Sequence, residues 1–459
     1  MNLASPLTPK RVEASASSRS RVGFAFGSRF FLLLVCGLVW MGPAFLDARF
    51  LYGILIWDVL LLTAWAYDLS RLPRPQQLSL ARQWEAPAAL SVQSTVTLLL
   101  NNGGGAGLYA EIVDDVPPAL RAEVPQIELT APPRQIGSAT YSIIPAERGD
   151  SQVEDAYVRY QSPWRLAERW TRVPLRQIVR VYPNIEEAKR HAFYMTRSRQ
   201  IEVDKRYARL KGAGREFESL REYRDGDELR NICWSATARR GKLVSKTFQV
   251  ERSQAIWLVV DCGRLMRARV GSISKLDAAV NTALTLSEAM LLAGDRVGLL
   301  AYGRNIQKRI LPGRGSYHLR QMMEGLVDVH EEAGEADHLR ALGVLLSSQK
   351  RRSLVVWLTD LSETAMTPEV VDSAMRLMPQ HLVLLAVIGQ PDLAKAASRD
   401  PENAEAMFQA AAAQEVMHRR ELVLARLREH GALALDVDSA VLSSTLIAAY
   451  LDVKQRNQL

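Results

Sequence analysis

The stretch GREFESLREYRDGDELRNICWSATARRGKLVSKTFQVER, Gly214 to Arg252, runs almost directly into AIWLVVD, Ala255 to Asp261, and this junction decides how the chain is read. Acids, arginines and aromatics alternate through the first part, and a continuous apolar run then ends on an aspartate. Asp225-Gly226-Asp227 reads as a turn into a helix N-cap. Glu228 follows in the first turn, where an acid meets the positive end of the helix. Leu229, Ile232, Cys233 and Ala236 then share one helical face, and Gly241 ends the helix after Arg239-Arg240. Leu243 to Val250 alternates as a strand. The expectation is loop, helix and strand, leading into a sheet.

Beyond Gln254, apolar runs of strand length recur at 255–261, 295–303, 353–360, 381–389 and 432–438. Helical stretches lie between them at 274–293, 336–349 and 403–430. Continuous apolar strands alternating with amphipathic helices predict a mainly parallel α/β sheet covered on both faces. In such a sheet the ligand crevice lies at the carboxyl ends of the strands, where Asp261 and Asp360 arrive.

Upstream the helical period disappears. From Pro73 to Pro183, short alternating runs such as SVQSTVTLLL (91–100) and DAYVRY (155–160) are separated by Gly- and Pro-rich turns. That spacing predicts an antiparallel β-sandwich of immunoglobulin-like kind, with no catalytic constellation in it. The run Asn101 to Gly105 lacks the Lys-Ser/Thr of a phosphate loop and reads as a hairpin turn.

Before this module stand two apolar runs, Phe30 to Leu46 and Phe50 to Tyr67, each near the lower limit for a membrane-spanning helix. Arg19, Arg21 and Arg29 precede the pair, and Arg71, Arg74 and Arg82 follow it, so positive charge flanks both outer ends. This predicts a transmembrane hairpin in a bacterial inner membrane, multi-pass, with both ends and all soluble parts in the cytoplasm. A cleaved signal peptide is the lesser reading, because a second apolar run follows at once. Asp58 falls within the second run. An acid there is a functional candidate, though a hydrogen bond to the neighbouring helix or to another copy of the chain is the plainer reading.

The 459 residues are 48% hydrophobic and 24% charged, enough for several folded domains. The net charge of +8 suits an anchored protein carrying topology signals, and permits nucleic acid or anionic lipid without requiring either. Three scattered cysteines and seven scattered histidines form neither a disulfide framework nor a zinc site.

Taken together, Arg148-Gly149, Ser162-Pro163-Trp164, Val181-Tyr182-Pro183, then G-x-E-F-x-x-L-R-E-Y-x-x-G-D-x-x-R-x-I-x-W from Gly214 to Trp234 and A-R-x-x-x-L from Ala238 resemble the bacterial domain of unknown function 58 family. The resemblance covers nearly the whole chain. It implies a basic cytoplasmic tail (1–29), a transmembrane hairpin (30–67), a β-sandwich (73–183), a linker (184–213), the charged motif (214–252) and a von Willebrand factor A-like domain of Rossmann type (253–455). Family members commonly neighbour a gene for a MoxR-type AAA+ ATPase, so that ATPase is the implied partner.

Metal-binding A domains hold Mg²⁺ through D-x-S-x-S, a later Thr and a later Asp. Here the first motif reads Asp261-Cys262-Gly263-Arg264-Leu265, and the Thr position is Ala336. Asp261 and Asp360 remain, with Arg264 as a cation that would crowd a metal and can neutralise them. The expected cofactor is therefore none, with Mg²⁺ as the alternative. In the charged motif, Glu216, Phe217, Arg221, Glu222, Tyr223, Asp225, Gly226, Asp227, Arg230, Trp234 and Arg239 are the candidate partner-binding or structural residues, since Arg forks pair well with carboxylates. The functional expectation is a non-enzymatic interaction protein. Its rivals are a metal-dependent hydrolase using Asp261 and Asp360, and a nucleic-acid surface on the Arg-rich motif, which the interspersed acids oppose.

Overall fold

Period-two alternation builds the first of two units into which the chain divides, Met1–Tyr182 and Pro183–Leu459. The structure is a computed structural model that describes residues 9–16, 23–44, 47–184, 216–224, 229–249, 253–361, 368–400, 403–456 and 458.

The first unit holds β1 (Val12–Ser15), β2 (Phe24–Phe26), β3 (Leu78–Trp84), β4 (Ser94–Asn102), β5 (Leu108–Asp114), β6 (Gln126–Ala131), β7 (Ile136–Ile143), β8 (Gly149–Val153), β9 (Ala156–Gln161), β10 (Ala167–Val173) and β11 (Gln177–Val181). They form two antiparallel sheets, ordered β1-β3-β4-β7 and β2-β10-β9-β5-β6, and a ribbon β11-β8. In β4, Val96, Leu98 and Leu100 are buried while Thr95, Thr97 and Leu99 are only half-buried. Leu98 and Leu100 join Leu78 and Leu80 of the same sheet and Ile112, Val158 and Tyr160 of the other in one core. Arg82 of β3 and Asp114 at the end of β5 lie fully buried in this unit. Arg82 Nε donates to Asp114 Oδ2 at 3.0 Å, Nη2 to Oδ1 and to the Glu154 carbonyl, and Nη1 to the Leu175 carbonyl at 2.7 Å. Tyr141 donates to Asp114 Oδ2 at 2.6 Å. Burial, and then the Asp114 charge, holds the Tyr141 hydroxyl well above its ordinary range.

The segment expected as a tail contributes two of these strands. β1 pairs with β3, Val12 opposite Arg82 and Ser15 opposite Ser79, and β2 pairs with β10. Between β2 and β3 lie the apolar helices. Among the described residues one helix, Leu51–Arg71, is long and apolar enough to cross a membrane. The first run is shorter than expected for a span: helix Ser28–Gly37, a 3-10 turn Leu38–Trp40, then Met41–Ala44. Trp57 explains where it tightens. Its Nε1 donates to the Leu33 carbonyl at 2.9 Å, and its ring fills the space beside Gly37, where a Cβ would stand 2.5 Å from it. Asp58, the next residue, is half-buried. At the far end of this helix, buried Asp68 accepts from Ser162 Oγ at 2.5 Å and from the Leu166 and Ala167 amides at 3.2 and 2.9 Å.

The second unit begins, among its described strands, with a ribbon of β12 (Glu216–Glu222) and β13 (Val244–Gln249). Next come β14 (Ala255–Asp261), a small hairpin of β15 (Arg269–Val270) and β16 (Ile273–Ser274), then β17 (Arg296–Tyr302), β18 (Ile306–Gly313), β19 (Leu354–Thr359), β20 (Leu382–Gly389) and β21 (Leu433–Asp438). Six of them form one sheet ordered β18-β17-β14-β19-β20-β21. All neighbours are parallel except β17 and β18. β14 and β19 are buried at every position, as their unbroken apolar runs require. β18, not foreseen from sequence, carries Lys308, Arg309 and Pro312 on an edge, where such residues discourage further pairing.

Trp257, Val259, Trp357 and Leu385 face one layer of helices, His338–Ser348, Pro368–Leu377 and Ala404–Glu429. Helix Lys275–Leu292 lies against β14 and β17, with helices Gly315–Val327 and Leu442–Gln455 beside it. From β14 the chain passes to β17 on one side, and later to β19 on the other. The strand order therefore reverses between β14 and β19, and a crevice opens at their carboxyl ends.

Candidate functional site

The charged motif is built differently from its expected loop, helix and strand. Residues 216–222 pair with β13 as a strand rather than a loop. The Glu216 and Phe217 side chains, Asp225, Gly226, Asp227 and the Arg230 side chain lie outside the described residues. Leu229–Asn231 form a 3-10 turn rather than the start of an α-helix. Ile232 bridges to Ser245 and the Cys233 amide donates to the Val244 carbonyl at 2.8 Å, which keeps the backbone extended, so the helix runs from Trp234 to Arg240. Gly241 ends it as expected, with φ of 64°.

The predicted apolar face is also split. Ile232 is buried, whereas Leu229 and Trp234 are 72% and 69% exposed, with Leu243 exposed as well. Arg239, Arg240 and Lys242 are exposed. Lys242 Nζ reaches Glu222 at 3.4 Å, Arg221 Nη1 donates to the Glu222 carbonyl at 3.2 Å, and the Tyr223 amide donates to Leu243. Cys233 is half-buried; hydrogen bonds from Ser235 and the Ala236 amide pull its thiol below the usual range.

The crevice assembles the second candidate site. Asp261 closes β14 and Asp360 follows β19, and both are buried. Asp261 Oδ1 accepts from the Gly263 amide at 2.8 Å and Oδ2 from Thr359 Oγ1 at 2.6 Å. Burial pushes the Asp261 carboxyl up, against these hydrogen bonds and the nearby His338, and the Asp360 charge adds to the rise. Asp360 Oδ2 meets Lys275 Nζ at 2.6 Å, and Oδ1 accepts from the Leu361 amide at 2.7 Å. Both side chains of this ion pair are essentially inaccessible. The guanidinium of buried Arg420 stands 3.8 Å from Asp360 Oδ1 and 2.9 Å from Asp436 Oδ2, and among the described residues its Nε and Nη2 have no hydrogen-bond partner. Burial raises the Asp436 carboxyl, and Arg420 opposes that rise.

The cation beside the carboxylates is therefore Lys275, not Arg264. Arg264 points to exposed Glu335 at 3.1 Å. Lys275 is the first residue of its helix, after the Ser274 cap. A lysine at the positive end of a helix is disfavoured unless a carboxylate answers it, and that misfit was the signal available in the sequence. Gly263 permits the close approach of the next loop, since a Cβ there would lie 2.9 Å from the Ala336 amide nitrogen. The Arg264 amide to Gly334 and the Glu332 amide to Cys262 stitch that loop down.

A hydrated Mg²⁺ needs free oxygen ligands in octahedral arrangement. Asp261 and Asp360 have their oxygens engaged, Gly263 and Leu265 supply none, and an ammonium sits on Asp360, so these residues do not fit the ion. Among the described residues no group of three or more His, Cys, Asp or Glu gathers as a metal cluster. A cavity of about 550 Å³ lies above, lined by Arg264, Arg267, Glu331, Asp360 and Gln390. Beneath the same strand ends, Trp357 Nε1 donates to the Tyr302 hydroxyl at 2.8 Å, which bonds His338 Nδ1 at 2.9 Å. Burial, and then the Asp261 charge, raises Tyr302 well above its ordinary range.

Comparison with known proteins places residues 219–423 in a match to the family described as "Protein of unknown function DUF58". The uncharacterized protein Rv1480 of Mycobacterium tuberculosis is 26% identical over 153 residues, 33% of this chain and 48% of that protein. The uncharacterized protein YeaD of Bacillus subtilis is 28% identical over 118 residues, 26% of this chain and 27% of that protein. The chain thus spans about half, or less, of the length of these curated relatives. Among solved structures, the conserved hypothetical protein BatB from Bacteroides thetaiotaomicron overlaps 39% of this chain and all of its own, at 16% identity and a TM-score of 0.25. The ASH/PapD-like domain of human CEP192 overlaps 21% of this chain and 76% of its own, at 14% identity and a TM-score of 0.16.

Proposed function

We propose that the chain is a membrane-anchored interaction protein whose soluble units face the cytoplasm and which works beside a MoxR-type AAA+ ATPase in complex assembly or cell-envelope work. The observation that carries the anchoring half is the pairing of β1 with β3 and of β2 with β10. Strands before the first apolar helix and after the second share sheets, so both ends of the helical pair must emerge on one side of any membrane. Basic residues at both outer flanks support the cytoplasm as that side. In this reading the two helices are a hairpin in a bacterial inner membrane, the paired sheets are an immunoglobulin-like sandwich and the second unit is a von Willebrand factor A-like domain. The 3-2-1-4-5-6 order of its sheet, with an antiparallel third strand, supports the last assignment.

The partner half draws on the family resemblance and on the exposed Leu229, Trp234 and Leu243 beside Arg239, Arg240 and Lys242. Exposed aromatic and arginine side chains are the usual anchors of protein interfaces. A hydrolase acting through Asp261 and Asp360 finds less support, because Asp360 is held by Lys275 and neither carboxylate is free to serve as a base.

Affinity capture of tagged full-length protein from gently solubilised native membranes, with and without nucleotide, tests the partner. Nucleotide-sensitive recovery of an AAA+ ATPase is expected, and recovery of the chain alone under both conditions would sink the assignment. For topology, a cysteine introduced near Ala48 should label from outside the cell; failure to label would overturn the hairpin.

A further inference from the structure

We propose that the Lys275 ammonium is a built-in cation that takes the place of a divalent ion at the end of β14 and β19, and that removing it uncovers a latent divalent-cation site on Asp261, Thr359 and Asp360. The strand order brings two aspartates to adjacent parallel strand ends, the point where a doubly wound sheet collects its ligands. Two buried carboxylates there require a positive partner, since an unpaired charge away from water is far more costly than a paired one. The partner present is covalently attached. Lys275 is wholly buried, with Nζ 2.6 Å from Asp360 Oδ2, and its helix starts at that point with its positive end turned the same way.

Backbone closes the Gly263 side of the site, where a Cβ would lie 2.9 Å from the Ala336 amide nitrogen and the 332–334 segment is hydrogen-bonded to 262–264, so the space a divalent ion would use is the space Lys275 fills. A tethered ammonium differs from Mg²⁺ in having no dissociation step, its hydration shell being shed once, on folding. The carboxylates are thereby held in one arrangement whatever the metal concentration, and whatever docks over the 550 Å³ cavity above them does so without a metal bridge. This inference concerns the crevice alone and does not depend on the proposed partner.

The test is Mn²⁺ titration by calorimetry and by the manganese spin signal, on the full chain in detergent, for wild type, Lys275→Ala, Lys275→Arg and Asp360→Asn. Wild type and Lys275→Arg should bind no stoichiometric Mn²⁺, and their melting temperatures should not respond to EDTA or Mg²⁺. Lys275→Ala should bind one equivalent and recover part of its lost melting temperature when Mg²⁺ is added. Stoichiometric binding by wild type that Asp360→Asn abolishes would overturn the proposal, and so would a folded Lys275→Ala that binds none. Should Lys275→Ala not fold, Lys275→Ser takes its place in the same titration, and a folded Lys275→Ser that binds no Mn²⁺ overturns the proposal equally.

Discussion

Each unit of this protein buries an ion pair, and the two are built to different standards. Arg82 and Asp114 meet through two hydrogen bonds, and every guanidinium nitrogen has an acceptor, with Tyr141 completing the carboxylate. Lys275 and Asp360 meet through one contact, two nitrogens of Arg420 beside them have no hydrogen-bond partner among the described residues, and Asp261 carries a raised carboxyl. The first arrangement is a closed network that ties β3 and β5 to the loops after β8 and β10. The second is an incompletely satisfied cluster at a strand-order reversal, below a cavity. The first has the closed pattern of a structural joint, and the second lies where a doubly wound sheet collects its ligands.

Substitutions in the two pairs sharpen this contrast. Arg82→Ala should cost the most, about 3–5 kcal/mol in urea unfolding, because it strands a buried carboxylate. Lys275→Ala should cost less, about 2–3 kcal/mol, since the Leu361 amide and Arg420 still serve Asp360. If the second loss equalled the first, the contrast would fail.

Asp261→Asn should change stability by an amount that depends on pH. Because burial raises the folded carboxyl, its stabilising contribution is complete below the ordinary aspartate value of about 3.9 and is lost as pH rises through the folded value. Melting curves should therefore show the Asn variant gaining on wild type as pH increases; a pH-independent difference would count against the raised carboxyl. Smallest in stability is Trp234→Ala, within about 0.5 kcal/mol because the ring is exposed, yet partner capture should fall sharply.

Sequence pattern sufficed wherever structure is dictated locally. The unbroken apolar runs of β14, β19 and β20 named the covered sheet, and the aspartates ending the first two fell at the crevice. It failed where pairing is remote. β1 and β2 are four and three residues long in a Ser- and Arg-rich segment, and only β3 and β10, more than 60 residues on, make them strands. The helix begins later than its apolar spacing predicts because Ile232 is drawn to Ser245 across the ribbon. Arg264 is near Asp261 in sequence and points elsewhere, whereas Lys275 reaches Asp360 from the first turn of a later helix.

Asp68 gives the first unit a mechanical property. Its carboxylate is grasped by Ser162 and by the amides of Leu166 and Ala167, at the last turns of the long apolar helix, and Tyr67 lies against Trp164 with ring centres 5.8 Å apart. Helix and sheets are thus joined without a swivel. A pull applied to the sheets is delivered as torque on the helix, so the joint behaves as the elbow of a lever rather than as a tether.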